Sequence, residues 1–287
     1  MNEHRLESLI ALLDDPDNSV FQFVLDELLK EDISIIDHLE HLWETSMDEL
    51  VQKRLELVIK QIQTKNTKKR MSEWANQESI DLFEGFFLIS SYQYPELKLK
   101  TIQAQLENIR KSVWIEFRNS LTSLEKITVM NHILFDHYRF TVDEMNPDSP
   151  QLCYINKVIE SHKGNTISIA ILYLLVARSL DLPVEYIDFP DHPLIAYFDK
   201  ETAFLVHGSE TEHPLFYINP ANKGAIIGPK EVDYIQHTSE LTAPSQFTTP
   251  CSNRIILKRL IERLISAYNK LGLPDKVSRI NEISSIL

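Results

Sequence analysis

Along the first seventy residues apolar positions recur at the i, i+3, i+4, i+7 spacing of half-buried helices. Leu6, Leu9, Ile10 and Leu13 form one stripe; Phe21, Val24, Leu25 and Leu28 a second; Ile35, Ile36, Leu39, Leu42 and Trp43 a third; Leu55, Val58, Ile59 and Ile62 a fourth. The run Asp14–Asn18, with Pro16, breaks the first pair. Short helices joined by polar turns predict an α-solenoid of the HEAT kind. Helical spacing continues over 78–140, through Phe83, Phe86 and Phe87, then Ile102, Leu106, Ile109 and Val113, then Leu124, Ile127, Ile133 and Leu134. Thr141–Pro150, with two prolines, reads as a loop.

From residue 165 the pattern changes. Ile167, Ile169–Leu172 and Leu174–Val176 are apolar on nearly every side, which predicts a buried helix stopped by Pro183. Short β-branched and aromatic runs follow at Val184–Phe189, Leu194–Phe198, Phe204–His207 and Leu215–Ile218, spaced as an antiparallel sheet. Ile256, Leu260, Leu264 and Tyr268 then share a helix face. Gly272 and Pro274 make a turn, and 275–286 forms a second helix, so the tail resembles a tetratricopeptide-like hairpin capped by Ser252 or Asn253. The expected fold class is α+β, predominantly helical. The expected domains are an N-terminal helical array (1–75), an α+β core (76–240) and a C-terminal helical hairpin (241–287).

Composition narrows the function classes. The hydrophobic fraction of 43% over 287 residues supplies ample core, and the scarcity of glycine (6) favours helices. A net charge of −13 argues against nucleic acid, since phosphate binding needs a basic footprint. The basic run Lys65, Lys68, Lys69, Arg70 reads as a solvated helix end or loop. The N-terminus has no apolar leader and no stretch is long enough to span a membrane, so a cytoplasmic protein is expected. Cys153 and Cys251, the two cysteines, lie outside any CxxC spacing and fit a reducing compartment and inert packing. His207 and His213 lack a third ligand at helical spacing, so no metal and no cofactor is expected.

One region carries chemical grammar. A Gly164-Asn165-Thr166 turn opens the buried helix, His192 follows the first β run, and Asn219 ends a later one in Tyr217-Ile218-Asn219-Pro220. That is the chain order of papain-like and transglutaminase-like enzymes. In these a thiol at a helix start is acidified by the helix dipole and an imidazolium, itself oriented by a third polar group. The segments Tyr154–Glu160, Lys163–Ser168, Leu172-Tyr173-Leu174, Leu182-Pro183-Val184, Pro190-Asp191-His192 and Phe216–Pro220 resemble the SirB-type transglutaminase-like family over roughly residues 80–230. Members with a helical N-terminal region and a tetratricopeptide-like tail are common in Bacteroidetes-type bacteria. Relatives are linked to regulation of virulence genes or to F-box adaptor proteins.

The resemblance implies a papain-like core and places Thr166 at the position of the catalytic cysteine, where this family usually has proline. His192 falls at the family histidine, followed by Pro193 instead of the usual Phe. Asn219 stands where active relatives carry Asp. Catalytic positions Thr166, His192 and Asn219 therefore read as a degenerate triad, with Gly164, Asn165, Ser168 and Tyr217 as binding candidates. Thr166 has a plain alternative as an N-cap or first-turn hydroxyl, and a His–Asn pair persists in an inactive site because removing one partner strands the other. The reading is a non-catalytic binding or regulatory module whose partner is another protein or a peptide-like ligand. The alternative is an acyl-transfer or amide-hydrolysing enzyme. There Thr166 or Ser168 would attack, although about 200° of helix rotation separates them, with His192 as base and Asn219 orienting it.

Overall fold

The structure is a computed structural model that describes residues 3–78, 80–189, 193–199, 214–238 and 249–287. The backbone divides into two compact units, Met1–Glu73 with Ser91–Glu96, and Trp74–Ser90 with Leu97–Leu287.

The first unit is helical: α1 (Glu3–Ala11), α2 (Asn18–Leu28), α3 (Ile36–Thr45) and most of α4 (Glu49–Ala75). The four predicted stripes meet in a single core in which Leu13, Val24, Leu28, Leu39, Leu55 and Val58 are fully buried. Asp17 caps α2 by accepting the Ser19 N–H at 2.8 Å. Arg54, on α4, is 7% exposed. It donates to the Leu13 carbonyl at 3.0 Å and also to that of Asp15. Its guanidinium lies 4.6 Å from the Phe21 ring centre. A cation thus satisfies one carbonyl in the 3-10 turn Leu12–Asp14 that continues α1 and another at its C-cap, Asp15.

The basic run proves to be helix interior, not a helix end or loop. α4 continues through Lys65–Arg70 to Ala75 because the apolar stripe resumes at Met71 and Trp74, both buried to within 1%. The lysines occupy the solvent side and leave that stripe intact.

The second unit is α+β. It contains α6 (Leu99–Glu116), α7 (Ser123–Asn131), α8 (Ile155–Ser161), α9 (Thr166–Ser179), α10 (Pro229–Thr238), α11 (Asn253–Lys270) and α12 (Pro274–Ser284). α5 (Leu82–Gln93) contributes its first nine residues. A π turn, His132–His137, follows α7 directly. Strands β3 (Val184–Ile187), β4 (Leu194–Tyr197), β5 (Phe216–Asn219) and β6 (Ala225–Ile227) make an antiparallel sheet in sequential order. Register pairs Val184 with Tyr197, Ala196 with Tyr217, and Asn219 with Ala225. Strand β6 was not anticipated, and the predicted run Phe204–His207 lies outside the described residues. β1 (Thr141–Val142) pairs in parallel with β2 (Lys163–Gly164), so the expected loop starts as a strand.

α9 is the centre of this unit, in contact with α6, α8, α11, β3 and β4. Ile169–Leu172, Leu174, Val176 and Ala177 are all at most 2% exposed, as an all-round apolar helix requires. The C-terminal pair turns through Gly272, at φ 66°. Ser252 caps α11 by accepting the Ile255 N–H at 3.4 Å. Tyr154 and Tyr268 hydroxyls, 2.7 Å apart, tie the pair to the core. Leu124, expected in a core stripe, is 49% exposed because it occupies the first turn of α7.

Gly85, on α5, is enclosed: an added Cβ would lie 2.2 Å from Leu257 Cδ1 and 2.5 Å from Trp74 Cζ2. Gly85→Ala is expected to destabilise the second unit by about 1–3 kcal/mol through overpacking. Urea unfolding checks this: the midpoint should fall with the m-value unchanged.

Candidate functional site

The start of α9 is assembled from three preceding segments. α8 ends at His162, whose φ of 56° turns the chain back. β2 then pairs with β1, and the Asp143 N–H donates to the Gly164 carbonyl at 3.0 Å. Gly164 is required there, since a Cβ would sit 2.5 Å from Ser168 Oγ and 2.9 Å from Ile169 Cγ1.

Asn165 caps the helix. Its Oδ1 accepts the Ile167 and Ser168 backbone N–H groups, both at 2.9 Å. Ser168 Oγ accepts the Asn165 N–H at 2.9 Å, closing a reciprocal capping box. The Asn165 amide nitrogen donates to the Leu152 carbonyl at 3.2 Å and to Cys153 Sγ at 3.1 Å. Asn165 is 4% and Ser168 0% exposed. Both therefore hold the turn, and neither presents its polar end to solvent.

Thr166 is the first helical residue, half-buried, and its hydroxyl has no hydrogen-bond partner among the described residues. His192 lies outside the described residues, as do His207 and His213. Asn219 ends β5, where its Oδ1 accepts the Asn222 N–H at 3.2 Å and starts the 3-10 turn Pro220–Asn222. That turn packs against α9. Tyr217, 3% exposed, packs with Ile187, Leu194, Ala196 and Val232.

Two connections here were not foreseen. Asn131, at the end of α7, accepts from the Tyr173 hydroxyl at 2.9 Å and donates to the Gly224 carbonyl at 2.8 Å. The Gly224 N–H in turn donates to the Asn219 carbonyl at 2.9 Å. α7, α9 and the β5–β6 turn are thus joined through one amide. Gly224, at φ 73°, is fixed by the same contact, because a Cβ would meet Asn131 Oδ1 at 2.1 Å. The Asn-Lys-Gly tripeptide is a turn signal in the sequence; Asn131 carries none.

Cys153 is the second. It lies thirteen positions before Thr166 in sequence but directly behind the Asn165 cap in space, 1% exposed. Burial pushes its thiol up to about 12, against a smaller lowering by Arg263 and by the Asn165 hydrogen bond. Such a thiol is a packing group, not a nucleophile.

Two outcomes follow from this arrangement. Asn165→Ala removes two caps and strands the Leu152 carbonyl, which should cost about 2–3 kcal/mol in urea unfolding. In native protein at pH 8, iodoacetamide should modify the half-exposed Cys251 well before Cys153, whose burial both blocks access and disfavours the thiolate; peptide mass mapping reads the order. The native state favours the protonated Cys153 thiol more than the unfolded chain does. That contribution is complete below the ordinary thiol pKa of ~8.5 and is lost as pH rises from there towards about 12.

Comparison with known proteins fits this geometry. The UPF0162 protein of Xylella fastidiosa (strain 9a5c) is 26% identical over 214 residues, covering 71% of this chain and 70% of that protein. Human F-box only protein 21 is 25% identical over 213 residues, covering 66% of this chain but 32% of its own length; the mouse protein is 24% identical over a stretch of the same size. No solved structure matches. The profile of the transglutaminase-like superfamily matches residues 100–262, which include α6 to α9, the sheet and the first part of α11. The chain belongs to the transglutaminase-like superfamily.

Proposed function

We propose that this chain is a non-catalytic transglutaminase-like protein of the SirB type that acts as a binding or regulatory module. The observation that carries the reading is the composition of the α9 start. The residue that opens the helix is Thr166, and the sulfur nearest the cap, on Cys153, is buried and held protonated. An alkyl hydroxyl is barely ionised near pH 7, so the helix dipole that would stabilise a thiolate has no anion to act on. Thr166, His192 and Asn219 are then a degenerate triad, and Gly164, Asn165, Ser168 and Tyr217 serve the fold around it.

The helical array before residue 75, read as HEAT-like, and the tetratricopeptide-like hairpin α11–α12 are the candidate docking surfaces for a partner protein or peptide-like ligand in the cytoplasm. The similarity to an F-box protein supports an interaction role, although the shared part is 32% of that protein. The net charge of −13 disfavours nucleic acid as partner, and none of the described helices is long and apolar enough to cross a membrane.

Acyl transfer by a hydroxyl is the second reading. It draws on Thr166, whose hydroxyl lacks a partner among the described residues, with His192 as base and Asn219 orienting it. Ser168 is a poorer candidate because its oxygen closes the capping box.

Incubation with a fluorophosphonate and with an activated acyl ester, followed by intact mass, separates the two. The expected result is an unmodified mass; an adduct lost on Thr166→Ala would establish the enzyme reading instead. In addition, Thr166→Cys should alkylate at pH 6 at least about tenfold faster than the half-exposed Cys251 if His192 and the helix start remain pre-organised. Equal rates would count against a surviving site.

A further inference from the structure

The last turn of α9, roughly 20 Å along the helix from Thr166 by its rise per residue, borders a cleft of about 620 Å³ within the second unit. That volume is in the range of small-ligand sites. Its apolar wall is Leu82 and Phe83 from α5, Leu106 from α6, and Leu175 and Val176 from α9. Leu175 is half-buried, while its neighbours Leu174 and Val176 are at most 2% exposed. The otherwise buried middle of the helix opens to solvent on this side.

The polar side is built and oriented. Arg110 donates through Nε and Nη2 to both Glu107 carboxylate oxygens, at 2.6 and 2.7 Å. Arg178 donates to Asn253 Oδ1 at 3.1 Å and, through its other terminal nitrogen, to Glu185. The Asn253 amide nitrogen is anchored on the Ile80 carbonyl at 2.6 Å. Arg110 Nη1 and Arg178 Nε have no partner among the described residues. Two guanidinium planes are thus locked by their own carboxylates, each with donor capacity left over.

Charge selects the occupant. Arg110 and Arg178 in the wall are offset by Asp81 and Glu107, also in the wall. The cleft therefore has no net attraction for an anion or a cation, and a charged ligand would lose hydration without gaining a counter-ion. An amide presents one donor and one acceptor, which matches spare guanidinium N–H groups beside carboxylate oxygens and Gln103.

We infer that this cleft is a binding site for an uncharged, amide-bearing ligand with apolar side chains, namely a short apolar peptide segment. The site is separate from the Thr166 region, so it stands whether or not that region is catalytic.

The test is a titration of the ¹⁵N-labelled full chain with N-acetyl-Leu-Leu-amide, beside N-acetyl-Leu-Glu-amide and N-acetyl-Leu-Lys-amide. The expected result is saturable shifts at the Leu106, Arg110, Leu175 and Arg178 amides, with a Kd on the order of 1 mM or tighter. Both charged analogues should bind at least about fivefold more weakly. Gln103→Trp, at an exposed lining position, should fill the mouth and weaken binding by about tenfold or more with Tm unchanged. Thr166→Ala should leave the titration as it was. Absence of saturation, shifts confined elsewhere, preference for a charged analogue, or full binding by folded Gln103→Trp would each overturn the assignment. None of these would bear on the acyl-probe result.

Discussion

Asn165 holds the junction from which the second unit is organised. Its side-chain oxygen Oδ1 closes the first turn of α9 by accepting two backbone N–H groups, and its side-chain nitrogen reaches back to Leu152 and Cys153. One buried side chain therefore fixes the helix start relative to the 3-10 turn Pro150–Cys153 that leads into α8. Because α9 is apolar all round, nothing on its own surface selects a rotation or an axial position. The cap and the Tyr173–Asn131 bond supply that specificity: one pins the end, the other pins the middle to α7 and to the β5–β6 turn. Removing either leaves a buried polar group without a partner, which is more costly than the bond itself is stabilising.

How much of this was legible in the sequence depends on how local the cause is. The Gly164-Asn165-Thr166 start and Pro183 stop placed α9 because caps and breakers act within a few residues. The observed helix runs Thr166–Ser179, with Leu180 as its C-cap and Asp181 in the left-handed region. Three of the four strands of the sheet were visible as β-branched runs for the same reason. The capping box was missed, although Asn165 and Ser168 stand three residues apart: the cap was expected at Thr166, which is the first helical residue instead. Ser168 attracted attention as a nucleophile only because a hydroxyl near a helix start has two uses.

Tertiary causes were not legible. Asn131 is 42 residues from Tyr173 and 93 from Gly224, and nothing in its neighbourhood marks it. Cys153 looked irrelevant to the helix start because sequence distance concealed its place behind Asn165. The basic run in α4 misled because charge on the solvent face says nothing about the buried face, where Met71 and Trp74 carry the stripe onward. Strand β6 is three residues long, and its partly exposed Ala225-Ile226-Ile227 gives too short a pattern to read.

The cap also bears on what α9 can do. Enzymes built on a helix start use its unpaired N–H groups to stabilise negative charge on a nucleophile or an oxyanion. Here the Ile167 and Ser168 N–H groups are already occupied by Asn165 Oδ1, and the Ile169 N–H by the Asn165 carbonyl at 3.0 Å. Among the described residues this leaves the Thr166 N–H as the unpaired donor of the first turn. An oxyanion at this position would meet one backbone donor, beside a residue that does not ionise, where effective holes combine two or more. The same hydrogen bonds that make the helix start rigid thus remove the electrostatic resource that catalysis there would need. A Thr166 hydroxyl that does not ionise near pH 7 and the completion of the cap are two independent reasons to read this end of α9 as architecture.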